Sequence, residues 1–133
     1  MRNTSIIRQA IFDVSCSVRS DFEMQTSSSM SALDNLCGPM SESLTAALMV
    51  AGFDACTVRG TYFDCDPSYV PDFTEWDEEA VEGHDSANGY SHCWVSCEGL
   101  FIDICAAQFH PHERDKYRVV VVNQDSLDYQ VDQ

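Results

Sequence analysis

Three residues of this 133-residue chain have the types that thiol-based acyl transfer needs. Cys37 could be the nucleophile, His92 its base, and Asp103 the carboxylate that orients the base. The spacing of the last two can be worked out. Residues 91–97 and 100–105 read as strands joined by Glu98-Gly99. A two-residue turn pairs Cys97 with Leu100, so His92 falls opposite Cys105 and Trp94 opposite Asp103. Alternation then gives one face to His92, Trp94, Ser96, Phe101, Asp103 and Cys105. The other face, with Cys93, Val95, Cys97, Leu100, Ile102 and Ile104, is wholly apolar and needs covering. His92 and Asp103 become diagonal neighbours, at Cβ separations up to roughly 7–8 Å, which two side chains can close to a hydrogen bond.

Cys37 must be brought to that pair by a helix. Met40, Leu44, Ala47, Leu48 and Ala51 form an apolar stripe, Pro39 suits a first turn, and Gly52 a stop, which predicts a helix over about 39–51. Cys37 then sits at a helix N-terminus, where unpaired N–H groups and positive partial charge favour a thiolate. Ile7, Ile11, Val14, Val18 and Phe22 predict an earlier helix over about 5–24, suited to cover the hairpin's apolar face. Further strands are expected over 55–63 and 117–123; the run Val119 to Val122 suits burial on both faces. Residues 64–90 read as an acidic surface loop with a helical turn near 75–81, and 124–133 as a polar tail that frays. The chain is thus expected to be one domain, 1–133, of α+β class, its N-terminal helices packed on an antiparallel β-sheet.

Charge restricts the partners. The chain has 22 acidic against 7 basic residues, a net charge of -15, and Lys116 is its one lysine. Phosphate and anionic lipid surfaces need Lys and Arg, so direct nucleic-acid and membrane binding are excluded as expectations. From Gly60 to Glu113 there are twelve acids and not one Lys or Arg. A site built from His92 and Asp103 would work in that field, favouring cationic or neutral peptide and protein amides.

The seven cysteines cannot all pair within one chain. Arg8, Gln9 and Asp13 interrupt the first apolar run, so no secretory leader is read, nor any membrane span. A reducing, cytoplasmic setting with free thiols follows, six of them expected as packing. Zinc is the rival chemistry, through Cys93, Cys97, His110 and His112. Cys93 and Cys97 would lie roughly 13 Å apart along a strand, too far for one ion, so no metal is expected. Thiolate chemistry needs no cofactor.

The residues also resemble a family. Cys37-Gly-Pro-Met-Ser41, Leu44, Leu48 and Gly52, then His92-Cys-Trp94-Val95, Ile102-Asp103 and Gln108-Phe109 are similar to the transglutaminase-like branch of papain-like cysteine enzymes. The likeness spans residues 33–110 and departs at Cys105, where Thr is usual. It implies a papain-like core, and a peptidase, deamidase, transglutaminase-type or related amide activity through a thioester. Cys37, His92 and Asp103 take the three triad roles. Asn35 stands nearest to an oxyanion donor, Gln108 braces the site, and Trp94 shares its face while packing in the core. The alternative is a non-enzymatic acidic binding or inhibitor protein on the same fold.

Overall fold

A computed structural model describes residues 4–26, 33, 36–69, 77–82 and 88–132. The chain folds as α+β, with two helices packed on a curled antiparallel sheet. Helix α1 spans Thr4–Thr26 and α2 spans Cys37–Val50. Strands β1 (Ala55–Tyr62), β2 (Tyr90–Cys97), β3 (Leu100–Asp103), β4 (Val120–Asn123) and β5 (Tyr129–Val131) are ordered β4-β3-β2-β1-β5. A short helix α3, Glu78–Glu82, falls within the acidic stretch, close to the expected turn. Asn35 and residues 70–76 and 83–87 lie outside the described residues.

Each apolar stripe finds its partner. Ile11 of α1 and Met40, Leu44 and Leu48 of α2 are fully buried against Val95, Cys97, Leu100 and Ile102 of the hairpin. Both helices therefore cover the face for which the sequence suggested the first. Gly52, at φ +96°, ends α2 in a conformation that costs glycine nothing. Arg19 of α1 is buried and donates Nη1 to the Ile104 carbonyl at 2.7 Å. Arg118 grips Glu23 through Nε and Nη2 at 2.7–3.0 Å, pinning the approach to β4 onto α1. The other face carries an aromatic layer of Tyr62, Tyr90, Trp94, Phe101, Phe109 and Tyr129.

Three expectations need correction. The segment 124–133 does not simply fray, because Tyr129–Val131 forms β5 and pairs with Gly60–Tyr62 of β1. The run Val119–Val122 touches both faces but belongs to an edge strand and is only half-buried, since β4 has a single neighbour. Cys105 does not share the His92 face: the chain turns out of β3 after Asp103, and Cys105 joins the helix-side core. Among the described residues no helix is long and apolar enough to cross a membrane.

Candidate active site

The hairpin register is the expected one. Val95 pairs with Ile102, Ser96 with Phe101 and Cys97 with Leu100. Glu98 and Gly99 both take positive φ, 52° and 79°, the conformation of a type I′ turn. His92 and Asp103 therefore share a face, and their side chains close the diagonal. His92 Nε2 lies 2.8 Å from Asp103 Oδ2, with the histidine side chain 0% and the aspartate 1% exposed. The carboxylate is satisfied on both oxygens. Oδ1 accepts the Cys105 N–H at 2.8 Å, and Oδ2 also accepts the Tyr129 hydroxyl at 2.8 Å. Such saturation offsets the cost of burying a carboxylate.

Cys37 enters where β3 leaves. Extending the register would pair Cys93 with Ile104, but β3 ends at Asp103 and Arg19 takes the Ile104 carbonyl. A two-residue turn aims the Cys93 N–H toward that vacated edge. The half-buried Cys37 thiol is lowered in part by that N–H. The Cys37 thiol interacts electrostatically with the His92 ring and with the Cys93 thiol. With Nε2 committed to Asp103, His92 keeps Nδ1 for other partners, and the Gln108 amide nitrogen lies 3.4 Å from it.

The protonation of the pair follows from these contacts. Burial pushes the Cys37 thiol up, but the His92 ring and the Cys93 N–H outweigh it, and the thiol is held below its ordinary value. Burial likewise opposes charge on His92. Asp103 and then Cys37 override it and push the imidazole up to about 9. Each partner thus favours the charged form of the other. Helix α2 has no side-chain cap, and its third residue is Pro39, which carries no N–H. The N–H groups of Cys37 and Gly38 precede that proline in the first turn.

Around this core, Gln108 Nε2 sits 3.4 Å from His92 Nδ1. Trp94 is fully buried, its ring centroid 6.1 Å from that of His92. Ser41, one turn beyond Cys37, is buried, and its hydroxyl has no hydrogen-bond partner among the described residues. His110 belongs to a separate cluster. Its Nε2 lies 2.8 Å from the Tyr62 hydroxyl, and its ring stacks on Tyr117 at 3.4 Å. Burial holds it below the ordinary imidazole value.

Two partners escape the sequence reading. Tyr129 stands in a polar segment, although Leu127, Tyr129 and Val131 alternate as a strand would. Cys93, on the hairpin face opposite His92, is expected to pack as a small buried hydrophobe. It is buried, 3% exposed, and also interacts electrostatically with Cys37. All seven cysteines are free thiols; of the six expected to pack, Cys56 is instead exposed. No family model, curated protein or solved structure matches this chain.

Proposed function

We propose that this protein is a cysteine-dependent amide hydrolase or acyl-transferase with a papain-like, transglutaminase-like core. One observation carries the reading: His92 and Asp103 are joined at 2.8 Å on adjoining strands, and Cys37, at the start of α2, interacts electrostatically with the same imidazole. The Cys37 thiolate attacks an amide carbonyl, and the first-turn N–H groups of α2 receive the oxyanion. The tetrahedral adduct collapses, and the departing amine takes the proton held by His92 Nδ1. A thioester on Cys37 remains. Water or a second amine then attacks it, giving its proton to Nδ1 as the thiolate leaves. Asp103 holds the Nε2–H throughout and keeps the ring aligned. The acid excess from Gly60 to Glu113 supports cationic or neutral substrates.

A limiting pulse of iodoacetamide on the native protein, with adducts mapped by mass spectrometry, tests the reading. Cys37 is expected to react first, ahead of the exposed Cys56, and to slow by tenfold or more in His92→Ala. A Cys37 no faster than Cys56 would overturn the mechanism and leave the acidic binding-protein alternative.

A further inference from the structure

Both ring nitrogens of His92 are held by one short stretch of chain. Asp103 Oδ2 lies 2.8 Å from Nε2, and further along the same stretch Gln108 Nε2 lies 3.4 Å from Nδ1. The backbone of Cys105 ties the two holders together. Its N–H donates to Asp103 Oδ1 at 2.8 Å, and its carbonyl accepts the Gln108 N–H at 3.4 Å, within the turn Ala106–Phe109. His92 is 1% exposed and Gln108 8%. The rings of Phe109, Tyr62 and Trp94 stand around the imidazole at centroid distances of 5.0, 5.7 and 6.1 Å. A ring packed in this way has little room to swing, so a change in its protonation must be met by the side chains beside its nitrogens.

We infer that Gln108 is a positioning residue of the proposed reaction: its carboxamide holds His92 Nδ1 in both protonation states, donating through Nε2 to the neutral ring and accepting through Oε1 from the imidazolium. The role rests on the proposed function, in which Nδ1 gives a proton to the departing amine and regains one from water or a second amine. Asp103 can serve Nε2 throughout, because that nitrogen keeps its hydrogen.

Side-chain chemistry explains why a glutamine suits the position. Nδ1 changes from donor to acceptor and back within each turnover. A fixed donor such as lysine, or a fixed acceptor such as a carboxylate, would favour one state and hinder the other. A carboxamide offers both functions at its tip, and its terminal torsion is broad and roughly two-fold. The amide nitrogen faces Nδ1 in this structure, which is the partner the neutral ring takes. A half-turn of the carboxamide brings Oε1 into its place for the protonated ring. The Cys105 backbone meanwhile keeps Asp103 and Gln108 at a fixed spacing, so the ring stays aligned as the proton comes and goes.

The test follows the histidine ring nitrogens of the whole, isotope-labelled protein by nuclear magnetic resonance against pH, with Cys37 alkylation by iodoacetamide measured in parallel. Gln108→Glu keeps the shape but, once ionised, only accepts. It should hold the Nδ1 proton and raise the His92 titration by about one pH unit or more, with the alkaline limb of Cys37 alkylation following it. Gln108→Met keeps the volume and removes both functions. At alkaline pH the unprotonated Nδ1 of His92 should then resonate downfield of its wild-type position, toward that of a free lone pair. If one variant fails to fold, the other decides. A His92 titration unmoved by Gln108→Glu, or an Nδ1 resonance unmoved by Gln108→Met, would overturn the proposal, since a side chain that only packs predicts both. An unmoved His92 beside a Cys37 that alkylates ahead of Cys56 sinks the Gln108 role alone. A moved His92 beside a Cys37 that alkylates no faster than Cys56 sinks the enzyme reading instead.

Discussion

The Tyr129 hydroxyl donates to Asp103 Oδ2 at 2.8 Å, across 26 positions of sequence, and shares that oxygen with His92 Nε2. Burial and the neighbouring Asp103 charge hold the phenol well above its ordinary value, so it remains a donor at any working pH. Strand β5 puts it there, and β5 is held only by β1 among the strands. An edge strand thus supplies one of the carboxylate's three donors.

Tyr129→Phe removes that donor and keeps the ring packing. The remaining negative charge falls more fully on His92, so the imidazole should titrate above about 9. Stability should drop by about 1.5–3 kcal/mol, as for a hydrogen bond to a charged group. The alkaline limb of Cys37 alkylation against pH, and a urea melt, check both. An unmoved limb would show that Tyr129 does no more than pack.

Asp103→Asn keeps the volume and removes the charge. His92 loses its main support against burial, so the ring should give up its proton at neutral pH. Cys37 alkylation should slow by at least tenfold. The amide cannot accept as the carboxylate did from His92, Cys105 and Tyr129, so stability should fall by about 1–3 kcal/mol.

The pair predicts its own pH signature. His92 is raised from 6.5 to about 9, so its contribution to stability is complete below about pH 6.5 and is lost as pH climbs through about 9. Cys37 is lowered, so its contribution is complete above the ordinary thiol range and is lost as pH falls through the lowered value. Over the shared window the two slopes oppose, and wild-type stability should be nearly flat. Cys37→Ser should expose the His92 slope as a decline of about 1–3 kcal/mol toward alkaline pH. Urea melts across that range decide it; an unchanged flat profile would contradict the ion pair.

Gly60 lies between His92 and Val131 in the sheet. A Cβ there would overlap the Gln130 carbonyl and come within 2.6 Å of Trp94 Cη2. Gly60→Ala should cost about 1–3 kcal/mol by overpacking. Because it pushes on β5, it should also slow Cys37 alkylation, which a remote core defect would not do.

The hairpin was legible because one dipeptide sets it. Glu98-Gly99 decides the turn, the turn decides the register, and the register puts His92 and Asp103 on one face. Helix α2 was legible too, from the spacing of Met40, Leu44 and Leu48 and the stop at Gly52. What could not be read depends on pairing between distant segments. Nothing near Tyr129 announces β1 as its partner, and three residues are too few for a firm period. The departure of β3 after Asp103 is equally silent, since Ile104 and Cys105 would continue the alternation. Its cause is remote: the Arg19 guanidinium takes the Ile104 carbonyl from 85 positions away.

The order of strands has a temporal meaning during synthesis. A ribosome releases the chain from its N-terminus at about 5–20 residues per second, so Asp103 emerges roughly 1–5 s before Tyr129. In that interval Cys37, His92 and Asp103 have all been made, yet the sheet lacks the strand that completes the carboxylate's hydrogen bonds. The nascent chain accordingly holds the hairpin register of His92 and Asp103 before β5 can dock and add the Tyr129 donor.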